Sequence, residues 1–404
     1  MIVNRKALLE AVVEAKRFAN SKASMPILAT ILLSCDTSLL TVAATDLSRT
    51  YTDTLVAAEA GDLAACIDGK RLYEVIKALK GEQVELTSTS AASSAKLIIA
   101  CGGSKFTLTG LPAKDYPKLP TVEDLKWFQV SGTALDRLFE ATCFSVCTDE
   151  TRSHLSGLQL EADGQTLRAV STDGHRLSIV ECPSSLPKMT ALIPRHALTD
   201  VRRLFDTAIE IAESKGWLFL RQLDGSGVLS VHLTDATFPP WRQIIPTELN
   251  RQATVNRLDA IEALKRAMLC AGDKTLCTSW TWRAEGSTGA GKLTIGADDP
   301  DKGEASETLA FLDGECLTTH AIAAGQIVPE QFKPFTIGFN GKYVLEALQH
   351  VEGETVIFEM SDYFETIKVK GKTDEIRQGE LNPCRISKAI GSKDFYIVMP
   401  MKLV

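Results

Sequence analysis

Three stretches of the chain share one pattern, a β-like patch that ends in a small residue followed by Thr-Asp or Ala-Asp. They are Leu40-Thr41-Val42-Ala43-Ala44-Thr45-Asp46, Leu167-Arg168-Ala169-Val170-Ser171-Thr172-Asp173 and Leu293-Thr294-Ile295-Gly296-Ala297-Asp298. The aspartates are spaced by 127 and then 125 residues. Recurrence at a near-constant interval binds a chain to a repeated module more tightly than composition does.

Helical patterns recur in step. Segments 5–20, 132–143 and 257–269 each carry apolar residues at i, i+3, i+4 and i+7, the rhythm of an amphipathic helix. A second helix is expected in each module at 69–80, 194–205 and 340–350. Asp68-Gly69 and Asn340-Gly341 read as caps, and Pro194 as a first-turn residue. Short alternating runs lie between them: Leu97–Ala100, Phe106–Leu108, Leu218–Leu220, Val228–Leu233, Thr355–Met360, Thr366–Lys370 and Phe395–Val398. These predict strands. Prolines mark the boundaries, at Leu111–Pro120 and at Phe238-Pro239-Pro240-Trp241 to Pro246. The reading is an α+β fold of three repeated domains, 1–124, 125–248 and an enlarged 249–404, each with two helices among antiparallel sheets. The surplus of the third is expected at 299–334 and 371–393.

Charge is sorted by element. The six helical segments hold 16 basic and 9 acidic residues, whereas the whole chain holds 44 and 51. If the helices line one surface, that surface is basic inside an acidic body. Lysine and arginine there would meet phosphates by counterion release, without reading sequence. No aromatic stacking platform or recognition-helix signature is evident.

Several classes are excluded or disfavoured. No apolar run approaches the ~18 residues of a membrane span. Met1-Ile2-Val3-Asn4-Arg5-Lys6 leads directly into the first amphipathic pattern, with no signal-peptide core. The ten cysteines contain no CxxC pair and read as reduced thiols, so a cytoplasmic protein is expected. The six histidines lack metal-ligand spacing. No cofactor is expected. Gly286 to Lys292 fits GxxxxGK, but Leu293 stands where a magnesium-binding Ser or Thr belongs, and a strand follows instead of a helix. A glycine-rich hairpin loop is the expectation, and a nucleotide-dependent enzyme the competing class. Asp173-Gly174-His175-Arg176 lacks an accompanying nucleophile and suits a tight turn. The terminal Met399-Pro400-Met401 is too apolar for an ordinary frayed end, and its thioethers suit either a core strand or an adaptable groove.

The sequence resembles the bacterial DNA polymerase III β subunit, the sliding clamp family. The resemblance runs through Ser171-Thr172-Asp173-Gly174-His175-Arg176-Leu177, Met25-Pro26-Ile27-Leu28, Phe339-Asn340 with Tyr343-Val344-Leu345, and Tyr396 to Met401. It implies a DNA clamp fold and a ring-shaped head-to-tail homodimer around double-stranded DNA. Such a protein is no enzyme; it tethers the polymerase topologically and raises processivity. It further implies a peptide groove between the second and third domains, for short linear segments of the DNA polymerase III catalytic subunit, the clamp loader and other proteins. Carried over by motif, its lining is Leu155, Thr172, Gly174, His175, Arg176, Leu177, Pro239, Ile244, Ile397, Val398, Met399, Pro400 and Met401, with Thr366 and Leu403. The DNA contacts implied are Lys22, Lys70, Lys77, Arg152 and Arg195. The seam between subunits is implied at Lys105 and Phe106 against Leu269 and Cys270. Thr275 to Trp280 departs from the family's basic residues there, and Lys402 stands where Arg is common. An accessory clamp with altered partners, or a peptide-binding scaffold, is the runner-up.

Overall fold

A computed structural model describes the chain except residues 21, 37, 92–93, 205–207, 247–248, 250, 286–289, 313–334, 361–366, 370–371, 375–381 and 404. Two compact units result. The first comprises Met1–Asp136 with His196–Asp235, the second Arg137–Arg195 with Ala236–Val404.

In the first unit, an eight-stranded sheet runs in the order 63–68, 30–36, 39–45, 49–56, 228–232, 217–222, 209–214 and 128–130. A four-stranded sheet holds Ile2–Asn4, Gln83–Ser90, Ala95–Cys101 and Ser104–Gly110. Every pairing is antiparallel; burial alternates along Ala95–Cys101 of the smaller sheet, where one face is solvated, whereas Val42–Thr45 of the larger sheet are buried on both faces. Leu40 and Val42, for example, are buried on the third strand in this order, together with Leu8 and Val12 of one helix and Leu72 and Ile76 of another.

The second unit repeats this plan. Its eight-stranded sheet runs 189–194, 157–162, 166–172, 176–183, 395–398, 384–387, 355–360 and 251–256, and its four-stranded sheet 303–310, 290–299, 277–285 and 335–340. A two-stranded ribbon pairs Ile367–Val369 with Lys372–Asp374. Trp280, Trp282, Phe339 and Phe358 pack with Leu264, Val344 and Leu348 of two helices into its main core.

All six helical segments contain helix: Arg5–Ala15, Gly69–Ala78, Gly132–Glu140, Leu198–Arg202, Arg257–Ala267 and Gly341–His350. Asn4, Asp68, Asn256 and Asn340 cap four of them, each side-chain oxygen accepting a first-turn N–H at 2.9–3.0 Å. Such a cap satisfies a donor that the helix itself leaves unpaired. The segment 194–205 differs from expectation. Pro194 ends the strand Met189–Pro194, a 3₁₀ turn covers Arg195–Ala197, and the α-helix begins only at Leu198. Proline's fixed φ suits an extended residue as well as a first turn, and periodicity does not separate the two.

The strand expectations fall within observed strands, except that Leu233 lies just past Val228–His232 and that Thr366 and Lys370 lie outside the described residues. In the GxxxxGK segment, Ala290–Lys292 belongs to a strand paired in register with Arg283–Glu285, so its flanks form a hairpin; 286–289 lie outside the described residues. Among the described residues, no helix is long and apolar enough to cross a membrane.

Candidate functional site

The Thr172-Asp173-Gly174-His175-Arg176 turn organises the site. Thr172 Oγ1 donates to Arg176 O at 2.6 Å and accepts from Gly174 N–H at 3.1 Å. One carboxylate oxygen of Asp173 accepts the N–H groups of His175 and Arg176, at 2.9 and 3.1 Å. Its other oxygen takes Arg176 Nε at 3.0 Å. Gly174 has φ +93°, and a Cβ there would lie 2.9 Å from Arg152 Nη2. Only glycine suits that position.

The Arg176 side chain is turned inward and fully engaged. Besides Asp173, it donates to a carboxylate oxygen of Glu346 and, at 2.6 Å, to Phe144 O. Its guanidinium lies 4.6 Å from the Tyr343 ring centre and 5.2 Å from that of Phe144. At 9 % exposure, Arg176 braces the turn, and the site's surface is left to its neighbours.

Phe395–Val398 pairs with Arg176–Ile179, and Met399 N–H continues the ladder to His175 O at 2.9 Å. Pro400 has no N–H and breaks it. Met401 N–H then bonds Gly338 O at 2.7 Å. A Cβ on Gly338 would lie 2.6 Å from Met401 O, so that glycine admits the tail.

Beside this ladder lies an apolar floor of Val170, Leu177, Ile179, Leu192, Phe238, Trp241, Phe395 and Ile397. Trp241 Nε1 donates to Glu161 at 3.1 Å, and Arg242 lies over the indole at 4.0 Å while pairing with Glu161 at 2.8 Å. Those bonds hold the Glu161 carboxyl below its ordinary range although burial opposes them. Leu155, Thr172 and Val398 are also buried. Gly174 and His175 are exposed, Pro239, Met399, Pro400 and Met401 half-buried, and Ile244 and Leu403 are 38 % and 39 % exposed. Of the expected residues, Leu177 and Ile397 lie in this floor, Val398 packs into the unit's main core instead, and Met399 joins the turn through His175 O. Thr366 lies outside the described residues. Phe238 and Trp241, read from sequence only as boundary markers, form part of the floor; an aromatic on each side of Pro239-Pro240 was the available signal.

The cations are distributed differently. Lys22, Lys70 and Lys77 are exposed in the first unit, the last two on the polar face of a helix that buries Leu72 and Ile76. Lys16 and Lys77 both lie over the Tyr73 ring, at 4.0 and 5.4 Å. In the second unit Arg195 is exposed, whereas Arg152 donates from Nη1 to Asp173 O at 3.0 Å. Arg152 is therefore partly committed to the turn.

Among the strands that end the sheets are Ser104–Gly110 in the first unit and Gly303–Ala310 in the second. Lys105 and Phe106 lie on one edge. Beside the other, Leu269 is 75 % exposed and Cys270 half-buried in a 3₁₀ turn. Arg266 grips Glu307 of that edge through two bonds of 2.9 and 2.8 Å.

Comparison with known proteins places this geometry in context. Residues 1–120 match the family model for the DNA polymerase III beta subunit N-terminal domain, and 129–240 that for its central domain. The chain is 27% identical over 379 residues to the beta sliding clamp of Caulobacter vibrioides, covering 90% of this chain and 93% of that protein. It is 25% identical over 408 residues to the beta sliding clamp of Pseudomonas aeruginosa, covering 99% of both. The crystal structure of the DNA polymerase III subunit beta from Pseudomonas aeruginosa has the same fold, with a TM-score of 0.79, 23% identity and coverage of 100% and 99%. The sliding clamp structure from Bacillus subtilis gives 0.78 at 20% identity, with the same coverage.

Proposed function

The chain belongs to the DNA polymerase III beta subunit family, the beta sliding clamps, and from that membership we propose that two copies close head to tail around duplex DNA and tether the replicative polymerase to it. The sheet edges carry this reading. Within each unit, the strand that follows an Asp-x-x-Arg turn is paired with a later strand, Arg49–Val56 with Val228–His232 and Arg176–Pro183 with Phe395–Val398. In the third repeat the strand at the same place is Gly303–Ala310, with Lys302 where the turn arginine stands in the other two; it and the first strand of the receiving kind, Ser104–Gly110, end their sheets without such a partner. An unpaired edge is a template for another chain. Lys105 on one and Glu304 on the other give the pair opposite charge, which favours correct docking. Pairing both edges with a second copy closes three domains per chain into a ring with its seam at Lys105, Phe106, Leu269 and Cys270.

Inside such a ring, Lys22, Lys70, Lys77, Arg152 and Arg195 meet phosphates without reading bases, so the duplex slides. The apolar floor and its rim take a short linear peptide. The buried Leu177, Phe238, Trp241 and Ile397 favour leucine or phenylalanine anchors, and the exposed His175 favours a polar residue such as glutamine. The DNA polymerase III catalytic subunit, the clamp loader and other DNA-handling proteins supply those peptides, in the cytoplasm, and the clamp itself performs no chemistry. Sedimentation equilibrium tests the assembly: a mass near twice 43.9 kDa is expected, and a concentration-independent monomer contradicts the ring.

A further inference from the structure

Each unit contains one junction where a strand of one repeat joins a strand of the next, and the Asp-x-x-Arg turns set the two junctions in register. Tyr51 pairs across strands with Leu229, as Ser178 does with Tyr396. The Phe18–Tyr51 ring stack occupies the place of the Ser145–Ser178 hydroxyl pair. Arg17 therefore corresponds to Phe144. Asp200 and Glu346 each receive Nη1 of the turn arginine, so Leu204 corresponds to His350.

The second junction is plugged by three aromatic rings. Phe144 stacks on His350 with centres 4.3 Å apart and planes at 14°, and tilts against Tyr396 at 5.8 Å. Tyr396 OH donates to His350 O at 3.1 Å. The cavity left beside the plug is about 20 Å³, room for no more than a water. At the first junction the three ring positions hold Arg17, Leu204 and Leu229. There a cleft of about 500 Å³ is open, lined by these three and by Phe18, Tyr51, Gln222, Gly227 and four polar neighbours. That volume lies within the range of small-molecule sites.

We infer that this cleft binds a neutral planar aromatic molecule of one or two rings with a hydrogen-bonding edge, which replaces the rings that the second junction builds from its own side chains. The chemistry of the walls selects that class. Phe18 and Tyr51 lie nearly parallel, at 4° and 6.0 Å between centres. A Cβ on Gly227 would lie 2.5 Å from the Tyr51 hydroxyl oxygen, so glycine allows that ring its place. Leu204 and Leu229 add apolar surface. Arg17 supplies a cation for a ring face, and Gln222 and Ser226 supply polar groups for its edge. The lining holds two acids, Glu14 and Asp200, and two bases, Arg17 and Arg203. Glu14 pairs with Arg17 at 3.1 Å and Asp200 with Arg49 at 2.5 Å. Both lining acids are thus paired and offer no free carboxylate to a cation, the aromatic and leucine walls favour an uncharged ring, and Arg203 is left as a hydrogen-bond donor. The inference concerns the first unit alone and does not depend on ring closure or on the peptide groove.

The test titrates the full chain with p-cresol, the side-chain analogue of tyrosine, and with indole, followed by ligand-observed NMR and thermal midpoint. Saturable binding at about millimolar concentration is expected, with the midpoint rising as ligand is added. Leu204→His with Leu229→Tyr installs the missing plug, and should weaken p-cresol binding about tenfold or more and raise the ligand-free midpoint. Arg17→Phe lies on an exposed position that tolerates replacement and should weaken binding in the same direction. Deleting Met399–Val404 from the second unit should leave p-cresol affinity unchanged. Absence of saturation, binding undiminished in both plug variants, or binding lost with the tail overturns the inference.

Discussion

Arg176 meets Asp173 as Arg49 meets Asp46, three residues apart in the chain and with Nε 3.0 Å from the carboxylate in both turns. Each arginine then reaches a carboxylate of the second helical segment of the following repeat, Glu346 or Asp200. The repeat is therefore a repeat of interactions as well as of pattern, and each turn fixes the strand that joins one module to the next. In the second unit the same turn sets the rim of the groove, because Met399 hangs from His175 O.

Arg176→Ala should destabilise the second unit by about 3 kcal/mol, the order expected when one partner of a buried pair is removed. Arg49→Ala should cost less, because the Arg49 side chain is more exposed, 22% against 10%. Urea unfolding of both variants tests the ranking, and equal losses would show that Arg176 is not the deeper brace.

Gly174→Ala forces a side chain into φ +93° and against Arg152. A cost of about 1–2 kcal/mol is expected, together with weaker capture of a polymerase-derived peptide measured by fluorescence anisotropy. Unchanged stability and affinity would remove the turn from the account of the groove.

Deleting Met399–Val404 removes the bonds to His175 and Gly338 and half of the rim. Peptide capture should be lost while the sedimentation mass stays that of the dimer. Retained peptide affinity would place the site elsewhere.

The turn also has a pH signature. Burial raises the Asp46 carboxyl, but bonds from Arg49 and Ser48 outweigh it and hold the group below its usual 3.8. The folded form thus prefers Asp46 ionised. Its contribution is present above the unfolded value of 3.8 and is lost as pH falls through the lower folded value. Acid titration should show the stability difference between the native chain and Asp46→Asn shrinking below pH about 4, and a difference constant down to the acid limit would contradict this.

Much of the fold was legible because it rests on local periodicity. Leu8, Ala11, Val12 and Ala15 are buried on one helix face, and Ala260, Ile261, Ala263, Leu264 and Ala267 on another. The Thr-Asp-Gly-His-Arg turn was legible through its own residues. The partners of Arg176 were not, since Glu346 lies 170 residues away and only tertiary structure brings it near. The same reason hid the inward role of Arg176 and the use of Arg152 against Asp173 O. Pro194 misled because one φ value serves both a strand end and a helix start.

The measurement that bears most directly on encirclement is retention on DNA after loading, compared between a closed circle and the same molecule cut once. Slow loss from the circle that survives high salt, and rapid loss through the ends of the cut duplex, is the predicted result. Equal retention on both would mean that the protein holds DNA by contact alone and forms no closed ring.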